Sequence, residues 1–176
     1  QLGNKTTTSS LVPIKGVIQY EVLFISAGTN YTAIIGKSDN NILTWGDNIY
    51  GQLGNKTTTS SLVPVLVTGG LKFNSVSAGD VHSLAIDIEG NLWAWGYNGS
   101  GRLGNNSTVD SSVPIKIKEG TKFKNISAGD SHSLALDSDG NLWIWGSNNN
   151  GQLGNKTTTS SLVPIKGVIQ YEVLFI

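Results

Sequence analysis

The thirteen residues Gln1–Pro13, QLGNKTTTSSLVP, return letter for letter at Gln52–Pro64 and Gln152–Pro164, and as RLGNNSTVDSSVP at Arg102–Pro114. The starts are fifty-one, fifty and fifty residues apart. A second stretch repeats in step with the first: VSAGDVHSLAIDIEGNLWAWG at Val76–Gly96 matches ISAGDSHSLALDSDGNLWIWG at Ile126–Gly146 in 15 of 21 positions. The first unit carries a looser version, ISAGTNYTAIIGKSDNNILTWG, with one extra residue before Trp45, and Gln1–Ile25 is identical to Gln152–Ile176. A fixed period of this size is the mark of stacked units, none of which can bury its own faces alone. Residues 1–176 therefore read as one tandem-repeat segment, with repeats at 1–51, 52–101 and 102–151 and a partial repeat at 152–176.

Within a unit the pattern gives four short strands and no sustained helical period, so less than about a tenth of the chain should be helical. In the third copy Val113–Lys118 alternates apolar and basic residues, as a half-exposed strand does. Pro114 donates no ladder hydrogen bond and outward lysines discourage pairing, which makes this an edge strand. Phe123–Ala128, His132–Asp137 and Leu142–Trp145 are apolar on both faces and read as strands covered on both sides. Ser138–Asn141 and Ile88–Asn91 are hairpin turns. Val76 becomes Ile126 and Ile86 becomes Leu136, which keeps the interior apolar, whereas Val81 to Ser131 and Ile88 to Ser138 mark surface positions. Ala27-Gly28, Ala78-Gly79 and Ala128-Gly129 are small enough for strands to crowd at the narrow edge of a wedge. The fold class is all-β, built of four-stranded antiparallel β-propeller blades.

The succession Ser-Ala-Gly-x-x-His-Ser, Asp-Gly-Asn-Leu-Trp-x-Trp-Gly, Asn-x-x-Gly-Gln/Arg-Leu-Gly and Val-Pro resembles the regulator of chromosome condensation repeat. The kelch repeat has a similar period but a different Tyr/Trp spacing, and the doublet Gly69-Gly70 occurs in one copy only. The first copy departs from the pattern, with Thr29, Tyr31 and Leu43 where the others have Asp80, His82 and Trp93 or Asp130, His132 and Trp143. The resemblance implies a seven-bladed propeller, of which this chain supplies about three and a half blades, and neither catalytic residues nor a cofactor. An open half-ring exposes blade faces and strand edges, so self-association or neighbouring repeats of a longer chain are expected. The lack of methionine and of a leader-like start fits a piece of something longer.

Composition narrows the function classes. Twelve basic residues balance twelve acidic ones, so no net field draws the chain to nucleic acid or an anionic membrane. Apolar runs such as Val22–Ile25 are too short to span a bilayer. Without cysteine there is no disulfide framework or thiol chemistry.

Several motifs suggest chemistry and are better read as structure. Gly99-Ser-Gly-Arg-Leu-Gly104 matches GxGxxG, but a polar Ser/Thr-rich loop follows where a dinucleotide site needs a helix. His82 and His132 each precede a serine, yet they occupy equivalent places in neighbouring units, so each is expected to make a structural hydrogen bond within its own blade. Asp137–Gly140 opens like a calcium loop without the later acidic ligands. Trp45, Trp93, Trp95, Trp143 and Trp145 are expected to pack between blades. Some relatives use tryptophans beside several arginines as a chromophore, and the only arginine here is Arg102.

Binding remains. The loops between Trp-Gly and Leu-Gly vary while the blades do not, and Asp47, Asn48, Tyr50, Tyr97, Asn98, Arg102, Asn148 and Asn149 are the expected protein-binding positions. The tyrosines are the anchors by type. The reading is a non-catalytic scaffold with a protein partner. The alternative is an exchange factor for a small GTPase, which needs a protruding or acidic loop on one face.

Overall fold

The computed structural model describes residues 1–14, 16 and 21–167, and no helix occurs among them. The strands are β1 Val22–Ala27, β2 Tyr31–Gly36, β3 Ile42–Gly46, β4 Ser61–Leu66, β5 Phe73–Ala78 and β6 His82–Asp87. They continue as β7 Leu92–Gly96, β8 Ser111–Ile117, β9 Phe123–Ala128, β10 His132–Asp137, β11 Leu142–Gly146 and β12 Ser161–Lys166. Each run of four forms one sheet in chain order, and every pairing is antiparallel. We call the sheets blades 1, 2 and 3.

The blades are out of phase with the sequence repeats. Blade 2 takes β5–β7 from residues 52–101 and β8 from the next repeat, and the other two blades are divided the same way. The four strands read within the third repeat therefore belong to two sheets, because Val113–Lys118 falls on β8 and closes blade 2. The partial repeat supplies β12 to blade 3, and residues 168–176 of its expected extent lie outside the described residues. This offset interlocks successive repeats through backbone hydrogen bonds as well as packing.

Pro114 lies on β8, an outer edge strand, as its missing N–H demands. The third and fourth strands of every blade pair irregularly around Trp45, Trp95 and Trp145, and the glycine after each has φ of 113°, 104° and 101°. The bulge frees Trp95 and Trp145 to tilt toward the preceding blade, and Trp45 toward Gln1–Gly3. First strands do not fit the expectation of coverage on both sides. Lys124 is exposed on β9 and Ser127 half-buried, and the ends of the first strands border an open cavity of about 380 Å³ lined by the inner turns of the three blades. Their turns are close: a Cβ on Gly79 would stand 2.5 Å from the Gly129 carbonyl oxygen.

The core lies between blades. One cluster joins Tyr31, Ala33, Ile35 and Leu53 of blade 1 to Phe73, Val76 and Trp95 of blade 2. A second joins Leu84, Leu92 and Leu103 of blade 2 to Phe123, Ile126 and Trp145 of blade 3. Flanked on both sides, β6 is buried along its whole length, whereas the equivalent β10 leaves His132 and Leu134 half-exposed.

Candidate protein-binding face and the junctions behind it

The turns between first and second strands and the long loops between third and fourth strands share one end of the blades. Their proximity is fixed by backbone bonds from Asp47, Tyr97 and Ser147 to the carbonyls of Asn30, Val81 and Ser131. Each long loop is organised by one buried asparagine. Asn98 Oδ1 accepts from Leu103 N at 3.0 Å, and its Nδ2 donates to Asn105 Oδ1, Ser107 O and Val109 O at 2.9–3.1 Å. Asn48 and Asn148 make the same set with Leu53 or Leu153, Asn55 or Asn155, and the following threonines. All three are fully buried. They are therefore not contact residues, as the sequence suggested, but the cores of their loops.

The remaining expected positions separate into two groups. Asn149 is exposed, and Asp47 is half-buried with its carboxylate accepting from Gln52 Nε2 at 3.0 Å and Ser60 Oγ at 3.2 Å. Tyr50 and Tyr97, both half-buried, come from different blades and meet with ring centroids 4.6 Å apart, tilted by 46°. The Arg102 guanidinium lies 4.6 Å from the Tyr97 centroid, and its Nη1 donates to Asp130 O at 2.7 Å. A file Tyr50–Tyr97–Arg102–Asp130 thus crosses all three blades. Arg102 itself is buried: its head clamps blade 2 to blade 3 and backs Tyr97 rather than facing a partner. Burial pulls its pKa below the ordinary value, against the opposing charges of Asp130, Tyr97, Asp80 and Asp110.

His82 has a geometry that resembles catalysis. Its Nε2 stands 2.9 Å from Ser133 Oγ, a nucleophile–base distance, but across the junction between blades rather than within its own blade as expected. Ser133 Oγ also donates to Arg102 O at 2.7 Å, which commits its one proton. The hydroxyl must then accept from His82, which assigns the Nε2–H tautomer and leaves Nδ1 bare. Burial, then the charges of Arg102 and His132, lower the His82 pKa to about 3, so the ring is neutral. Both side chains are fully buried, and no acid orients the ring. This is a joint between blades.

The joint has further members that the sequence reading missed. Trp145 Nε1 donates to the same Arg102 carbonyl at 2.8 Å, and Trp95 Nε1 and Ser83 Oγ both donate to Gln52 O at 2.9 Å. A Cβ on Gly54 or Gly104 would stand 2.7 Å from the Trp95 or Trp145 Nε1. The Gln/Arg-Leu-Gly triplet is therefore a docking strip for the next blade's tryptophan, and the glycines of the GxGxxG match serve packing. The recurrence of this triplet 43 or 44 residues before each of Trp45, Trp95 and Trp145 was the available signal. Trp45, Trp95 and Trp145 are buried as expected, while Trp93 and Trp143 are half-buried at the rim, donating to Asp87 Oδ2 and Asp137 Oδ2. Burial alone would raise the Asp137 pKa. Hydrogen bonds from Trp143, Asn141 and the turn backbone outweigh it and hold the carboxyl below its usual range. The calcium-like Asp137 thus caps a hairpin.

Comparisons with known proteins agree with this architecture. The ultraviolet-B receptor UVR8 of Arabidopsis thaliana is 35% identical over 94 residues, 51% of this chain and 21% of that protein. Human WBSCR16 superposes with a TM-score of 0.77 at 25% identity, covering 87% of this chain and 41% of that one. Prp20p of Saccharomyces cerevisiae superposes at 0.75 with 24% identity, covering 85% and 39%. The chain thus spans about a fifth of the curated relative and two fifths of the solved structures. The model of the regulator of chromosome condensation repeat matches residues 39–86, 89–136 and 139–170 in succession, and the chain belongs to that family.

Proposed function

We propose that the chain is a non-catalytic protein-interaction module whose partner docks on the end carrying Tyr50 and Tyr97. The observation that carries this reading is the aromatic pair itself. Two tyrosines from separate blades pack against each other at a tilt, and a buried arginine backs Tyr97, so partner contact costs little side-chain ordering. Ile49, 59% exposed, adds apolar area beside Tyr50. Asp80 and Asp130 border the same end and favour a partner with basic groups near the apolar contact. The Ser–His pair supports no catalytic reading, since neither group reaches solvent.

Family likeness supports a protein partner without choosing one: the yeast structure's description concerns binding of Prp20p to Gsp1p and histones. Exchange on a GTPase is the less favoured reading, because the three long loops are equal in length and none carries an insertion to serve as a wedge. Two assays test the proposal. Quantitative capture with the wild-type chain should lose its partners with Tyr50→Ala/Tyr97→Ala and keep them with Ile88→Glu at the opposite end. Capture indifferent to both tyrosines overturns the assignment of the face. Accelerated nucleotide release from any of a panel of small GTPases would establish the exchange-factor reading instead.

A further inference from the structure

At the end opposite Tyr50 and Tyr97, blades 2 and 3 carry the same kind of groove. Each runs between the loop that enters the first strand and the hairpin that joins the second and third strands. A half-buried tryptophan borders it, Trp93 in blade 2 and Trp143 in blade 3. Each indole is fixed by its N–H, which donates to Asp87 Oδ2 at 2.9 Å or to Asp137 Oδ2 at 2.8 Å. Donation to a carboxylate makes the ring face more negative, and such a face attracts cations. In blade 3 the chain itself supplies the cation: Lys118 Nζ stands 4.4 Å from the Trp143 centroid.

Blade 2 lacks that cation. Fifty residues earlier, Thr68 takes the place of Lys118 and Gly69 that of Glu119, so the loop brings neither reach nor charge to the ring. A Cβ on Gly70 would meet no described atom within 4 Å, and a groove of about 310 Å³ lies open beside Leu71, Glu89 and Trp93. Among the described residues no cation stands over Trp93. Two lysines border the groove. Lys72 Nζ is committed to Asn41 Oδ1 at 2.8 Å. Lys116 lies opposite Trp93 across the sheet, as Lys166 lies opposite Trp143, where the ring takes Lys118 and not its cross-strand lysine. Glu89 is exposed and accepts only from Asn91 Nδ2, at 3.3 Å, so its charge is available to the groove.

We propose that the Trp93 groove binds an alkylammonium group from outside the chain, either a free amine or the end of a lysine side chain, in the place that Lys118 holds over Trp143. The indole face takes the ammonium, Leu71 covers the alkyl stem, and Glu89 supplies the opposing charge. Blade 3 is the same site filled by its own lysine. With one ring and one exposed carboxylate, the site selects for charge more than for shape, and its binding weakens with salt.

Nuclear magnetic resonance of the indole N–H groups of the 176-residue chain tests the proposal, with the two rim signals assigned through Trp93→Phe and Trp143→Phe. Butylammonium chloride should shift the Trp93 signal and leave Trp143 in place, while n-butanol, the neutral counterpart, should move neither. Glu89→Gln should weaken the response about two- to fivefold. Lys118→Asn, which suits the φ of 52° at that position, should uncover Trp143 and make its signal respond as well. A blocked Gly-Lys-Gly peptide separates the sources. A stronger response than to butylammonium assigns the site to a lysine side chain, and one no stronger assigns it to a free amine. A silent Trp93, equal shifts at both tryptophans in the wild type, an equal effect of n-butanol, no loss with Glu89→Gln, or a Trp143 that stays silent in Lys118→Asn each overturns the proposal.

Discussion

The two junctions are built on one plan with different rings. Between blades 1 and 2, the Tyr31 phenol reaches His82 O and Ser83 Oγ. Between blades 2 and 3, the His82 imidazole reaches Ser133 Oγ. In both, the serine donates onward to the strip carbonyl that also takes the tryptophan N–H. The position demands a flat ring with a polar tip that spans from blade to blade, and either residue meets it. What differs is proton chemistry: burial raises the Tyr31 pKa and lowers that of His82, in each case favouring the neutral ring.

The largest effect should be common to both junctions. Trp95→Ala and Trp145→Ala each remove a fully buried indole, and each should cost about 3–5 kcal/mol in denaturant unfolding. Trp93→Ala, at the half-buried rim, should cost markedly less. Unequal losses for Trp95 and Trp145 would break the claim of a single plan.

The pH response should separate the junctions. The His82 pKa is about 3 when folded against 6.5 when exposed, so its stabilisation is complete above pH 6.5 and falls as pH drops toward 3. The slope is about 1.4 kcal/mol per pH unit. His132, also lowered by burial, adds a smaller loss at the low-pH end of stability, and His82→Gln should flatten most of the slope. Asp87 and Asp137, held below their usual range, begin to add their loss near about pH 3.9, so their window overlaps that of His82 only at its acid end. Tyr31 acts with opposite sign, since its raised pKa withdraws stability only above about pH 10. Thermal unfolding from pH 3 to 11 checks both limbs.

The smallest effects sharpen the comparison. Ser133→Ala leaves the buried His82 N–H without an acceptor and should cost about 1–3 kcal/mol. Ser83→Ala should cost less, because Tyr31 keeps the His82 carbonyl. Tyr31→Phe should cost about 1 kcal/mol and abolish the alkaline loss. Equal penalties at the two serines would show that the ring's second acceptor has no energetic role.

Much of this was legible in the residues. The period gave the blades, Pro114 marked the outer edge strand, and the apolar runs at 123–128, 132–137 and 142–145 fall on β9, β10 and β11. Local chemistry determines these features, since strand alternation, turn glycines and a missing N–H act over a few residues. The tertiary structure decided three things that depend on which blade faces which. Strand pairing placed the fourth strand of each blade in the next repeat, because a sheet is closed by hydrogen-bonding partners and not by sequence periodicity. Depth turned Asn48, Asn98 and Asn148 from candidate contacts into loop cores, since an amide's role depends on whether water or backbone meets its four hydrogen-bonding sites. Finally, residues some fifty apart, Tyr31 with Ser83 and His82 with Ser133, became partners only when blade stacking brought one unit's ring to the next unit's hydroxyl.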